Sequence, residues 1–264
     1  MLKYPEINPI LYKYGNLSLH WYGLMYVLGL AAAFSSCYKR RDTVTKHWNY
    51  ENISDLISYL ALGIILGGRI GYLLLYEPDL LIQNPLSLIY FWQPGRSFHG
   101  GLLGVIAALF IFCKVHKYSF WKMADYIVPA VPIGLGFGRL GNFINGELWG
   151  RITTMPQGMV FPHAGPLPRH PSQLYECFLE GVLLYIILWA YSSFIPKNKQ
   201  PLGALTGIFL MCYGLVRFLV EFFREPDIQL GFLNNGWMTM GQLLSFPMII
   251  VGLYLLRSKN ATVS

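Results

Sequence analysis

The chain is predicted to be an all-α integral membrane protein with about seven transmembrane helices. Of its 264 residues, 54% are hydrophobic and only 12% are charged, against roughly 25% charged in soluble domains. Apolar stretches recur along the whole length, each near the roughly 20 residues a helix needs to cross a bilayer. The basic residues sort by loop, as they do in membrane proteins of fixed orientation.

The first apolar segment runs from His20 to Tyr38 and ends in Lys39, Arg40 and Arg41, with no small-residue cleavage pattern after it. It reads as a retained helix rather than a signal peptide. The others run approximately over 56–76, 98–113, 124–144, 173–194, 203–222 and 238–256. Eleven Lys and Arg residues fall in alternate connections: Lys39, Arg40, Arg41, Lys46; Lys114, Lys117, Lys122; Lys197, Lys199; Arg257, Lys259. Six fall in the opposite set: Lys3, Lys13, Arg96, Arg151, Arg169 and Arg224. The positive-inside rule then places the amino terminus outside and the carboxyl terminus in the cytoplasm. The net charge of +7 is therefore topological, and it does not indicate nucleic acid.

The fourth segment carries Pro129, Pro132, Gly134, Gly136, Gly138 and Gly141, so a broken or kinked helix is expected there. Irregular backbone at membrane depth is tolerated where it is buried in protein or lines a wet cavity, which predicts an outer-side cavity beside Arg139. Close helix packing through small residues is the alternative. Residues 145–170, rich in Pro and Gly, read as an outer loop or lid within a single polytopic membrane domain, 1–264. Cys37, Cys113, Cys177 and Cys212 each stand alone in an apolar run, without the paired spacing of a zinc or redox site.

Arg69, Arg139 and Arg217 lie within or at the ends of apolar segments. A central arginine costs about 2.5–3.5 kcal/mol on insertion scales, so it faces a partner or a cavity. Arg217, Glu221 and Arg224 are spaced by four and three, on one helical face. Arg217 and Glu221 could simply neutralise one another, and Arg224 could be an interfacial charge. Counted with Arg139, however, two outer-side guanidiniums against one carboxylate leave positive charge for a phosphate, which guanidinium forks bind bidentately. The run GRLGNFINGELWG at 138–150 packs Arg139, Asn142, Asn145 and Glu147 into nine residues. The asparagines can donate to oxygens or hold Arg139, and Glu147 can orient a cation or accept a proton. His99 opens H-G-G-L-L-G at the outer end of the third segment, either as a base or as a hydrogen-bonded structural residue. Gly100 would let a backbone or a headgroup approach closely. On the same side Trp21 and Tyr26 read as interfacial anchors, and Tyr22 could donate its hydroxyl to a bound polar group.

The motifs HWYGLMY (20–26), GGRIGY (67–72), FHGGLLG (98–104), GRLGNFINGELWGR (138–151), RHPSQLYE (169–176) and YGLVRFLVEFFREPD (213–227) closely resemble the bacterial prolipoprotein diacylglyceryl transferases. The resemblance spans nearly the whole chain and is weakest over 152–168. It implies a multi-pass enzyme of the bacterial cytoplasmic membrane with its site towards the outer leaflet. The implied reaction moves the diacylglyceryl group from phosphatidylglycerol to the lipobox cysteine thiol of a prolipoprotein, forming a thioether and releasing glycerol 1-phosphate. The partners it implies are phosphatidylglycerol, the prolipoprotein signal peptide and the lipid bilayer, with no cofactor and no metal.

On that reading Arg139 and Arg217 stabilise the leaving phosphate, and Asn142, Asn145, Glu147, Glu221, Arg224, Tyr22 and Gly100 bind or orient the headgroup. Arg69 is a further candidate. His99 is the base for the incoming thiol, unless His99 and Tyr22 only position the lipid while the arginines' field lowers the thiol pKa. From another class, an organic-anion transporter could also use broken helices and buried arginines; it predicts a midplane site and repeated halves, neither of which is legible here.

Overall fold

The structure, a computed structural model, describes residues 2–15, 17–45, 48–90, 95, 97–196, 199–226, 232–233 and 238–257. Of the charges used to orient the chain, Lys46, Arg96, Lys197 and Lys259 lie outside the described residues. A short antiparallel hairpin, β1 (Ile10–Tyr14) and β2 (Leu17–His20), leads into helix α1 (Trp21–Lys39). Then follow α2 (Tyr50–Tyr76), α3 (Pro78–Gln83), α4 (Phe98–His116), α5 (Phe120–Ile127) and α6 (Val131–Asn145). After a long connection come α7 (Ser172–Glu176), a π-helical turn (Cys177–Leu183), α8 (Leu184–Phe194) and α9 (Ala204–Val220). The two-residue strands β3 (Phe232–Leu233) and β4 (Met238–Thr239) precede α10 (Met240–Arg257).

Among the described residues, five helical stretches are long and apolar enough to cross a membrane: Tyr50–Tyr76, His99–His116, Phe120–Asn145, Ser172–Phe194 and Met240–Arg257. Helix α1, of 19 residues, and the apolar α9, of 17, occupy the two other predicted segments. Large apolar side chains such as Leu75, Leu103, Trp189 and Ile250 are exposed on these helices. A soluble protein of this size does not expose apolar surface so extensively, but lipid would cover it. The fourth predicted segment has three pieces, because the 3-10 turn Val128–Ala130, with Pro129 at its start, separates α5 from α6. Proline lacks the amide hydrogen an α-helical ladder needs, which favours a tighter turn at this position.

The chain forms two compact units, one from Met1–Ser36 with Ile127–Ser264 and one from Cys37–Tyr126. In the second, Asn49 and Asn52 cap α2 reciprocally, and α2 meets α4 through glycines. A Cβ on Gly71 would stand 2.6 Å from the Gly100 Cα, and one on Gly104 would stand 2.9 Å from the Gly67 Cα, so the two backbones touch as small-residue membrane interfaces allow.

In the first unit α6, α8, α9 and α10 enclose a core of Val128, Leu184, Leu188, Leu205, Ile208 and Tyr213. Antiparallel α9 and α10 approach at Gly207 and Gly252. The connection after α6 folds back on itself, with bridges Ile152 to Arg169 and Met159 to Arg169. Its buried Met159 and Phe161 share a small cluster with Tyr4, flanked by Phe143 and Trp149. A segment this short borrows apolar partners from neighbouring elements because it cannot bury a core alone. The Tyr4 hydroxyl lies 2.7 and 3.1 Å from the Phe143 and Ile144 carbonyls and donates to them, adding to the cap of α6, where the Gly146 amide also donates to Phe143 at 3.0 Å.

Candidate functional site

In the first unit, three helical elements bring three arginines and three glutamates into contact. Arg139 comes from α6, Glu176 and Glu180 from α7 and the π turn, and Arg217 with Glu221 and Arg224 from the end of α9 and the turn after it. Glu176 is the hub: its Oε1 lies 2.6 Å from Arg217 Nη1 and 3.7 Å from Arg224 Nη1, and its Oε2 lies 3.4 Å from Arg139 Nε. Glu180 Oε2 accepts hydrogen bonds from Arg139 Nε and Nη2 at 3.3 and 3.2 Å. Arg217 Nη2 pairs with Glu221, whose other oxygen accepts a hydrogen bond from the Thr239 hydroxyl at 3.1 Å. Glu176 and Glu180 are fully buried, and the Arg139 and Arg217 side chains are 15% and 14% exposed. In a low-dielectric site each ion relies on the others, since an unpaired buried charge is strongly destabilising.

Local geometry makes this meeting possible. A Cβ on Gly181 would lie 2.8 Å from the Gly136 Cα, so α6 and the π turn touch backbone to backbone one residue beyond Glu180. A π turn inserted in an α-helix is rare and recurs at functional sites; here it carries Glu180. Gly241, in the first turn of α10, lies against Glu221, where a Cβ would come within 2.6 Å of the carboxyl carbon. Arg151 donates to the Arg224 and Glu221 carbonyls at 2.9 and 3.1 Å, satisfying carbonyls at the end of α9.

A second polar group adjoins the first along the same elements. Asn142, one turn after Arg139, donates to Glu147 Oε1 at 2.8 Å, and Asn145 donates to the same oxygen at 3.3 Å. Gln173, one turn before Glu176, donates to the Glu147 carbonyl at 2.6 Å. Tyr22, at the start of α1, packs its ring on Gly141, where a Cβ would come within 2.7 Å, and its hydroxyl is 3.4 Å from that of Tyr26. Four buried oxygens here accept no hydrogen bond among the described residues: Asn145 Oδ1, Gln173 Oε1, Glu176 Oε2 and Glu180 Oε1. Buried acceptors are almost always satisfied in folded proteins; two of these four, Glu176 Oε2 and Glu180 Oε1, instead face guanidinium nitrogens of Arg139 and Arg217 at 3.4 and 4.0 Å.

The unit thus gathers Tyr22, Arg139, Asn142, Asn145, Glu147, Arg217, Glu221 and Arg224 on a few helix ends. His99, Gly100 and Arg69 belong to the other unit. There His99 stands half-buried in the first turn of α4, and the space over Gly100 is taken by the backbone of α2. Arg69 is 2% exposed and donates to the Ser87 and Gly95 carbonyls at 3.0 and 3.4 Å. It thereby ties α2 to the Ser87 and Gly95 backbone. A cavity of about 320 Å³ in the first unit opens between Tyr4, Asn8, Asn145 and His163, at the C-terminal end of α6, and Arg139 does not line it.

Two charges escaped sequence reasoning. Glu176 reads as part of a helix start and Glu180 as one acid in an apolar run, yet the rule that singled out Arg139 applies equally to a carboxylate in a membrane segment. Their spacing of four would place like charges on one face, a destabilising pair unless cations meet it. The excess of positive charge inferred from the sequence is corrected accordingly, because three carboxylates oppose three guanidiniums.

The fold and the cluster define a multi-pass helical membrane protein with an ionic site buried among its helices. The family model described as prolipoprotein diacylglyceryl transferase matches residues 9–257. The phosphatidylglycerol–prolipoprotein diacylglyceryl transferase of Coxiella burnetii (strain RSA 331 / Henzerling II) is 54% identical over 253 residues, covering 96% of this chain and 95% of that protein. The protein of the same name from Legionella pneumophila (strain Lens) is 51% identical over 260 residues, 98% of this chain and all of that protein. The chain belongs to the prolipoprotein diacylglyceryl transferase family, as its motifs led one to expect.

Proposed function

We propose that the protein transfers the diacylglyceryl group of phosphatidylglycerol to the cysteine thiol of a prolipoprotein lipobox. Family membership supports this reading, and the buried arginine–glutamate cluster is the observation that carries it. Arg139 and Arg217 bind the phosphodiester, while Asn142, Asn145, Glu147, Tyr22, Glu221 and Arg224 hold the headgroup and the two arginines in place. The lipobox sulfur forms a bond to the phosphate-bearing carbon of the diacylglyceryl group, and the bond from that carbon to oxygen breaks with its electron pair on the phosphate oxygen. Glycerol 1-phosphate leaves. Guanidiniums aimed at that oxygen lower the barrier because they favour the charge that develops there. A free thiol, with a pKa of about 8.5, is only a few per cent ionised near neutrality, and His99 takes its proton. The peptide supplies the nucleophile, and the chain's four isolated cysteines have no part in the chemistry.

The proposed setting is the bacterial cytoplasmic membrane, crossed seven times by one polytopic domain, with the amino terminus outside and the carboxyl terminus in the cytoplasm. The cluster then faces the outer leaflet, where a translocated signal peptide presents its cysteine, and residues 145–170 form a lid over it. The test is to incubate purified protein with phosphatidylglycerol micelles and a lipobox peptide and to weigh the peptide by mass spectrometry. A diacylglyceryl mass addition, lost in Arg139→Ala, supports the reading. An unmodified peptide and unconsumed lipid, under conditions where a relative is active, refute it.

A further inference from the structure

Among the described residues the arginine–glutamate cluster is electrically balanced. Three guanidiniums, Arg139, Arg217 and Arg224, face three carboxylates, Glu176, Glu180 and Glu221, and every one of the six makes an ion pair within 4 Å. A phosphodiester carries one negative charge. If it enters and draws Arg139 and Arg217 to its oxygens, the same buried volume holds three cations and four anions, and the carboxylates lose counter-ions as well. A buried uncompensated charge is among the most costly arrangements a protein can hold, and a group in that position neutralises instead.

The structure points to the group that takes the proton. Glu176 lies near three guanidiniums and Glu221 is held by Arg217 and Thr239, whereas Glu180 leans on Arg139 alone at short range. Its Oε1 accepts no hydrogen bond among the described residues and lies 4.0 Å from Arg217 Nη1. Resting on the phosphatidylglycerol reading above, we infer that binding of the lipid phosphodiester is coupled to uptake of one proton by the Glu176–Glu180 pair, with Glu180 the principal acceptor. The groups facing Glu180 are Arg139 from α6, Glu176 one turn before it, and Tyr213 and Arg217 from α9. Glu221 and Arg224 stand behind Arg217 and Glu176, and Arg151 is bound to main-chain carbonyls at the end of α9. A protonated Glu180 no longer competes for Arg139, and it becomes a donor that can reach a phosphate oxygen.

The coupling is measurable without turnover. Dihexanoyl-phosphatidylglycerol is titrated into the full-length protein in detergent by calorimetry, at pH 7, in buffers of differing ionisation enthalpy. The expected dependence on buffer enthalpy corresponds to about one proton taken up per lipid bound, and the Kd weakens by about tenfold per pH unit as pH rises. In Glu180→Gln the amide already stands where the neutral acid would be, so lipid still binds while both the proton uptake and the pH dependence of Kd collapse. Binding by the wild-type protein with no proton exchanged overturns the inference, and this needs no variant to fold. Uptake that persists undiminished in both Glu180→Gln and Glu176→Gln overturns it too. Absence of any lipid binding to the wild type refutes the phosphatidylglycerol reading and the coupling with it, a result distinct from binding without protons.

Discussion

Glu176 Oε1 lies 2.6 Å from Arg217 Nη1, tying the start of one apolar helical stretch to the end of another. Because the same carboxylate also meets Arg139 and Arg224, it is the piece whose loss leaves most charge uncompensated. Glu176→Ala is expected to destabilise the protein by about 3–5 kcal/mol, the usual cost of breaking a buried ion pair by removing one member. Thermal unfolding in detergent measures it, and a melting temperature equal to that of wild type would show the cluster to be mechanically idle.

Charge alone does not suffice at Arg139 and Arg217. Lysine keeps the charge but offers a point ammonium in place of a planar fork. Arg139→Lys and Arg217→Lys are each expected to lower lipid transfer by about 10²-fold or more, in the range of removing one preorganised donor from a developing oxyanion. Peptide mass spectrometry against time gives the rates. Near-native turnover in both would mean that neither guanidinium fork is required at the phosphate.

The contact between Gly136 and Gly181 is a packing prediction with an internal control. Valine at 181 has nowhere to place its Cβ, which would lie 2.8 Å from the Gly136 Cα, whereas a Cβ on Gly138 meets nothing within 4 Å. Gly181→Val is expected to cost about 1–3 kcal/mol, as overpacking does, and to depress transfer by shifting Glu180 against Arg139. Gly138→Ala should leave stability unchanged or slightly raised, since alanine is the better helix former. The two melting temperatures, compared side by side, decide it.

His99→Gln separates the two roles open to that residue. If His99 takes the thiol proton, the rate falls by about 10²–10⁴-fold, and the remaining activity rises with pH as the peptide thiol ionises unaided. A variant with wild-type rate and pH profile would remove His99 as an obligatory base.

His170 links the long connection after α6 to pH. Its Nδ1 is 3.2 Å from the Tyr175 hydroxyl, and its ring packs edge-on to Phe223. Burial holds its pKa below the usual imidazole value near 6.5. A histidine whose folded pKa is depressed contributes stability that is present above the unfolded value and lost as pH falls through the folded one. The melting temperature is therefore expected to fall between pH 7 and pH 5, and by less in His170→Phe, which packs but does not titrate. Equal slopes in the two proteins would place the acid sensitivity elsewhere.

Much of this protein is written in its sequence. The apolar segments, the proline and glycine run within the fourth, the family motifs and the arginines Arg139 and Arg217 set among apolar residues are all legible because the bilayer imposes length and polarity on each segment separately. The group Asn142, Asn145 and Glu147 is equally local, since a single helix end and the turn after it hold all three. What only the tertiary structure decided is the charge balance. Glu180 lies 41 positions from Arg139, and Glu176 lies 41 from Arg217. No pattern along one helix reveals that these residues meet, or that backbone contact at Gly136 and Gly181 brings them together. Only the tertiary structure, too, shows the Arg69 guanidinium donating to main-chain carbonyls in its own unit. Membrane burial penalises each charge wherever it stands, so sequence identifies the charges; pairing depends on distance in space, and so the partners appear only in the fold.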